Sequence, residues 1–133
     1  MRGMPYQTQS TSLAGCSILV VEDEPLIAIA IADAFTQAGA RVVQVRSFKD
    51  ALVAAVDDPT ISAAIVDHVL SDGDSTALCA RLTQRNILCL VHSGYPKVES
   101  LVVMEALHVP KPANPQLLVT MVNTLLEGRP TLH

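Results

Sequence analysis

Short apolar runs alternating with segments of helical period constrain this chain more than any other feature. Ile18-Leu19-Val20-Val21, Ala63-Ala64-Ile65-Val66 and the stretch 87–91 are apolar runs of strand length, and the last is almost purely apolar, as a central strand covered on both faces is. Between them lie helix signals. Pro25 stands where a first helical residue belongs, Ile27, Ala30, Ile31, Ala34 and Phe35 follow at helical spacing, and Gly39 marks the stop. Arg41–Val45 reads as the second strand. Ser47 followed by Asp50 has capping-box form and opens a helix to about residue 56. A third helix is expected over 77–85. Asn114-Pro115 opens a last helix with the stripe Leu117, Leu118, Met121, Val122 and Leu125, ended by Gly128. The stretch 98–106 reads as a short fourth helix and 107–109 as a brief fifth strand. Alternating strands and helices with short connections build a parallel sheet with helices on both faces.

Bulk properties narrow the class. A chain of 133 residues suits one domain, burying roughly two-thirds of its unfolded surface. Half of it is hydrophobic but only 3% aromatic, so Val, Leu, Ile and Ala must build the core. No apolar stretch reaches membrane-span length, and the polar segment 1–15, without an apolar h-region, does not read as a signal peptide. The expected location is the cytoplasm. A net charge of −4 with scattered Lys and Arg argues against nucleic-acid binding. Cys16, Cys79 and Cys89 lie in or beside apolar segments and read as reduced structural thiols.

In a parallel α/β sheet the carboxyl ends of the strands share one crevice, where such folds place their chemistry. The first strand delivers Glu22 and Asp23 there, the third Asp67, the fourth Ser93 in Val91-His92-Ser93-Gly94, and the fifth Lys111 in Val109-Pro110-Lys111-Pro112. Three carboxylates side by side are unfavourable unless a cation neutralises them. A hard divalent ion such as Mg²⁺, with oxygen ligands and retained waters, does so. An acid in such a site, flanked by an amine and a hydroxyl, is equipped to take a phosphoryl group on its own oxygen.

Glu22-Asp23-Glu24-Pro25 after Ile-Leu-Val-Val, Asp67 after Ile-Val, Ser93-Gly94 after the fourth strand and Lys111-Pro112 near the end resemble the receiver domain of bacterial two-component response regulators. The resemblance covers about residues 16 to 127. It implies a flavodoxin-like doubly wound (βα)5 three-layer sandwich of strand order 2-1-3-4-5. It further implies Asp67 as phosphoacceptor, Glu22, Asp23, Asp67 and the backbone carbonyl of Val69 around Mg²⁺, Lys111 as the amine of the family pattern, and Ser93 as the switch hydroxyl. The organisation expected is a flexible tail 1–15, a receiver domain 16–128 and a C-terminal tail 129–133, with no effector domain. The implied activity is Mg²⁺-dependent self-phosphorylation and autodephosphorylation at an aspartate, in a single-domain regulator that switches partner binding or relays phosphate. The alternative is a receiver-like scaffold that never turns over phosphate. The implied partners are a sensor histidine kinase or histidine phosphotransfer protein and an output protein; a homodimer is a further option.

The chain also departs from the family pattern. Where an aromatic residue usually stands three before the lysine, this chain has His108: either it performs a modified switch, or signalling runs through the loop after Ser93. The interval from Ser93 to Lys111 is short by roughly one helical turn, so the fourth helix should be short or irregular. Val69 and Tyr95 stand at positions flanking the path of the hydrolytic water in the family, which suggests a long-lived aspartyl phosphate. Asp72-Gly73-Asp74-Ser75-Thr76 matches the DxDxT pattern of haloacid-dehalogenase-like phosphatases. That motif directly follows a buried strand, whereas here Asp67 and further residues intervene, so turn plus helix cap is the reading of the segment. His68 and His92, lacking metal-ligand spacing with the cysteines, read as side chains alternating away from the site.

Overall fold

The computed structural model describes residues 12–93, 107–110 and 114–128. The elements run β1 (Ser17–Val21), α1 (Pro25–Gln37), β2 (Arg41–Val45), α2 (Phe48–Asp57), β3 (Ile61–Asp67), β4 (Val69–Leu70), β5 (Gly73–Asp74), α3 (Ser75–Gln84), β6 (Leu88–Ser93), β7 (Leu107–Pro110) and α4 (Pro115–Glu127). Five parallel strands form one sheet in the order β2-β1-β3-β6-β7. With the two-residue strands β4 and β5 set aside as a small antiparallel hairpin, this is the expected order 2-1-3-4-5. The stretch 98–106, the shortened interval around it, and the tails 1–11 and 129–133 lie outside the described residues.

Alternation along the inner strands sorts their side chains into two cores. Leu19, Val21, Ala64, Val66 and Val91 pack against Ala51 and Ala55 of α2 and Leu78 and Leu82 of α3. Ile18, Val20, Ala63, Ile65 and Leu90 pack against Ile31 and Phe35 of α1 and Leu118 and Val122 of α4. Helices therefore cover both faces, and the flavodoxin-like three-layer architecture follows. β2 is an edge strand, and its exposed Arg41 and Gln44 among merely half-buried valines fit that place. Leu13, assigned from sequence to the tail, is buried at 2% exposure, and its N–H donates to the carbonyl of Ala38 at 2.9 Å. A single leucine in a polar segment carries no periodic signal, so the sequence could not place it in the core.

The helix ends follow from local chemistry. Gly39 takes φ +97° after α1, the left-handed stop that glycine permits. Asn114 Oδ1 accepts from the N–H of Gln116 at 2.8 Å, capping α4 behind Pro115. Among the described residues no helix is long and apolar enough to cross a membrane.

Cys79 on α3 and Cys89 on β6 are buried free thiols whose sulfurs lie 2.7 Å apart. Their contact, with burial behind it, pushes the Cys89 thiol well above its ordinary value. Burial shields both sulfurs, and at Cys89 the raised thiol also disfavours the reactive thiolate; both should resist aqueous thiol reagents in the folded protein, while half-buried Cys16 reacts. Titration with a chromogenic disulfide should report one accessible thiol natively and three in denaturant; three fast-reacting thiols in the native protein would contradict this packing.

Candidate functional site

The carboxyl end of β1 carries Glu22 and Asp23, and that of β3 carries Asp67. The β1–β3 ladder pairs Val21 with Val66, so the residues that follow emerge side by side. Backbone bonds hold them there. The N–H of Glu22 donates to the Val45 carbonyl at 3.1 Å, and the N–H of His68 to the His92 carbonyl at 3.0 Å, extending both ladders to the rim. Carboxylate oxygens of Glu22, Asp23 and Asp67 all lie within 4.8 Å of one another, although Glu22 and Asp67 are only 3% and 7% exposed. Glu22 Oε2 accepts from the N–H of Glu24 at 3.3 Å, and Asp67 Oδ1 from the N–H of Val69 at 3.4 Å.

Like charges at that separation repel by on the order of 3 kcal/mol per pair at the effective dielectric typical of proteins. The donor set is all oxygen, with Asp23 half open to water, and it fits a hard divalent cation that keeps part of its hydration shell.

The loop after Asp67 is built around the hairpin β4–β5. Asp72 Oδ1 accepts from the N–H of Phe48 at 2.8 Å and Asp72 Oδ2 from that of Lys49 at 3.1 Å, while Ser47 Oγ accepts from that of Asp50 at 3.1 Å. The first three orphan donors of α2 are thus all satisfied. Asp74 Oδ1 accepts from the N–H of Thr76 at 2.9 Å and caps α3. The segment is therefore turn plus cap, but its two aspartates cap different helices. Asp72, bound to the N-terminus of α2, serves as an anchor.

Backbone donation by Phe48 and Lys49 holds the Asp72 carboxyl below its ordinary range. A carboxyl lowered on folding contributes stability above its unfolded pKa of about 4 and loses it as pH falls through the folded value. Asp72→Asn should therefore flatten the acid limb of the stability profile and leave its neutral-to-alkaline shape unchanged, read as urea midpoints against pH. An unchanged acid limb would show the cap to be energetically silent.

Ser93 closes β6 in register with Pro110, the residue before Lys111, and His108 pairs with Val91. The side chains of Ser93 and His108, and all of Lys111 and Tyr95, lie outside the described residues. Val69 sits on β4, at 59% exposure. His68 turns toward α3, with Nδ1 3.5 Å from Ser75 Oγ. His92 corrects the expectation that it turns away. It is the register partner of Asp67 on the neighbouring parallel strand and is buried at 4% exposure, so it shares the sheet face of Asp67. The face a strand residue takes beside its neighbours depends on inter-strand register, which is not visible in a sequence.

No family model matches the chain. Over 75 residues it is 39% identical to the transcriptional regulatory protein TcrA of Mycobacterium tuberculosis, a match covering 56% of this chain and 29% of that protein. The chain thus spans less than a third of the curated relative's length. Among solved structures it is similar to a two-component response regulator from Clostridium difficile (14% identity, 85% of this chain and 97% of that one, TM-score 0.78). It is likewise similar to a CheY-like response regulator receiver domain protein from Methanospirillum hungatei JF-1 (22% identity, 84% and 94%, TM-score 0.77). The fold is that of the response-regulator receiver domains.

Proposed function

We propose that Asp67 accepts a phosphoryl group from a phosphohistidine donor, a sensor histidine kinase or histidine phosphotransfer protein, and that the chain then switches partner binding or relays the phosphate. The clustering of Glu22, Asp23 and Asp67 within 4.8 Å at one sheet edge carries this reading. An Asp67 oxygen forms the new O–P bond as the donor's N–P bond breaks, and the leaving imidazole nitrogen keeps the electron pair. Glu22, Asp23, Asp67 and the carbonyl of Val69 would hold Mg²⁺. When bound, the ion supplies charge neutralisation at the transferring oxygens. Lys111 adds a fixed positive charge, Ser93 a hydroxyl donor, and His108 takes the switch position. The cytoplasm is the compartment in which such a donor would meet it.

Incubation with a small acyl phosphate and Mg²⁺, followed by intact-mass measurement, tests the reading. A phosphoryl increment that disappears with EDTA supports it; no increment favours the phosphate-independent scaffold.

Leu26 and Ile29, at 80% and 58% exposure, stand on the first turns of α1 beside the acidic pocket. An apolar patch so placed suits a docked donor helix. Leu26→Asp should slow transfer from a phosphohistidine protein about tenfold, the effect of losing one interface anchor. Labelling by the small acyl phosphate should continue. Equal slowing with both donors would move the defect from docking to the pocket.

A further inference from the structure

We propose that the cleft between α2 and α3 is a docking site for an amphipathic helical segment whose apolar stripe is flanked by carboxylates. The cleft has a volume of about 360 Å³ and is lined by Leu52, Val56, Arg81, Gln84 and Arg85. It lies on the sheet face away from α1 and α4 and apart from the acidic pocket. Its α2 wall is apolar and open to water: Leu52 is half-buried and Val56, four residues on and on the same side of the helix, is 58% exposed. The α3 wall is cationic. Arg81 and Arg85 are four residues apart, so their guanidinium groups rise from one side of the helix, with Gln84 between them.

Charge identifies the occupant. The chain carries a formal charge of −4, yet this cleft is lined by two arginines and no acid. Among the described residues neither arginine meets a carboxylate; the ion pair found there joins Arg41 to Asp58. α2 itself carries exposed Lys49, Asp50 and Asp57, so the basic rim is that of Arg81 and Arg85 on the α3 side. An apolar floor between helices with a basic rim is the complement of an acidic amphipathic helix laid along the groove. Small anions would use the arginines but leave Leu52 and Val56 uncovered.

The test uses the full chain, ¹⁵N-labelled, and two synthetic helices of about four turns. Both carry leucines along one face; one is flanked by glutamates and the other by lysines. The glutamate peptide should bind, perturb the amide signals of Leu52, Val56, Arg81, Gln84 and Arg85, and weaken as salt is raised. The exposed pair Arg81→Glu with Arg85→Glu should weaken that peptide about tenfold and strengthen the lysine peptide, reversing the preference. Val56→Ser should weaken both. A thermal melt like that of the wild type establishes that each variant is folded. The proposal is overturned by equal binding of the two peptides, by perturbations mapping elsewhere, by a charge reversal without effect, or by no binding at millimolar peptide. It is overturned equally by concentration-dependent self-association that perturbs the same amides, which would assign the cleft to a second copy.

Discussion

With Asp67 replaced by Asn, phosphoryl incorporation from an acyl phosphate should fall to background, because the amide offers no anionic oxygen to attack phosphorus. The same variant carries a second expectation of opposite sign. Asp67 shares a 4.8 Å cluster with Glu22 and Asp23, so in EDTA the substitution removes two like-charge repulsions, that with half-open Asp23 the more screened, and should raise the unfolding free energy by about 1–3 kcal/mol. Added Mg²⁺ should stabilise the wild type through linkage and the variant much less. Denaturant curves with and without the ion separate these effects. Loss of labelling without any change in Mg²⁺ response would leave Asp67 as acceptor but remove it from the cation site. Retained labelling would move the acceptor elsewhere.

Gly73→Val should disrupt the 67–74 loop and the cap on α2 together. A Cβ at Gly73 would lie 2.5 Å from Cδ2 of Phe48 and 2.6 Å from its Cγ, closer than atoms can pack. Ring and hairpin must separate, and Asp72 with them, so the cap on α2 is strained as well. Overpacking of this kind costs about 1–3 kcal/mol. The hairpin begins at Val69, so labelling of Asp67 should slow too. A double-mutant cycle with Phe48→Ala localises the cause: without the ring the valine should be tolerated, giving a coupling energy of about 1–3 kcal/mol. An undiminished cost in the Phe48→Ala background would place the strain in the backbone rather than against the ring.

Much of this arrangement was readable from the chain alone, for identifiable reasons. β1 and β3 are interior strands, so their apolar runs stood out, and the acidic residues ending them were visible as the carboxylates that the sheet brings together. The caps Ser47 and Asn114 act on the next turn of their own helices, and local action leaves a local signal. What stayed hidden acts at a distance. Asp72 reaches an N–H 24 residues earlier, and nothing in its neighbourhood announces the partner. β4 and β5 are two residues each, too short for alternation to register. His92 was misplaced because its orientation depends on register with β3 rather than on its own neighbours.

The anchoring of Asp72 has a mechanical consequence. One end of the 67–74 loop is Asp67, the proposed phosphoacceptor; the other is clamped by a two-pronged carboxylate to the first turn of α2 and runs directly into α3. A loop tied at both ends cannot relax into solvent. Displacement at Asp67 is therefore delivered as a pull on two helix termini, and the segment works as a short tether rather than a hinge.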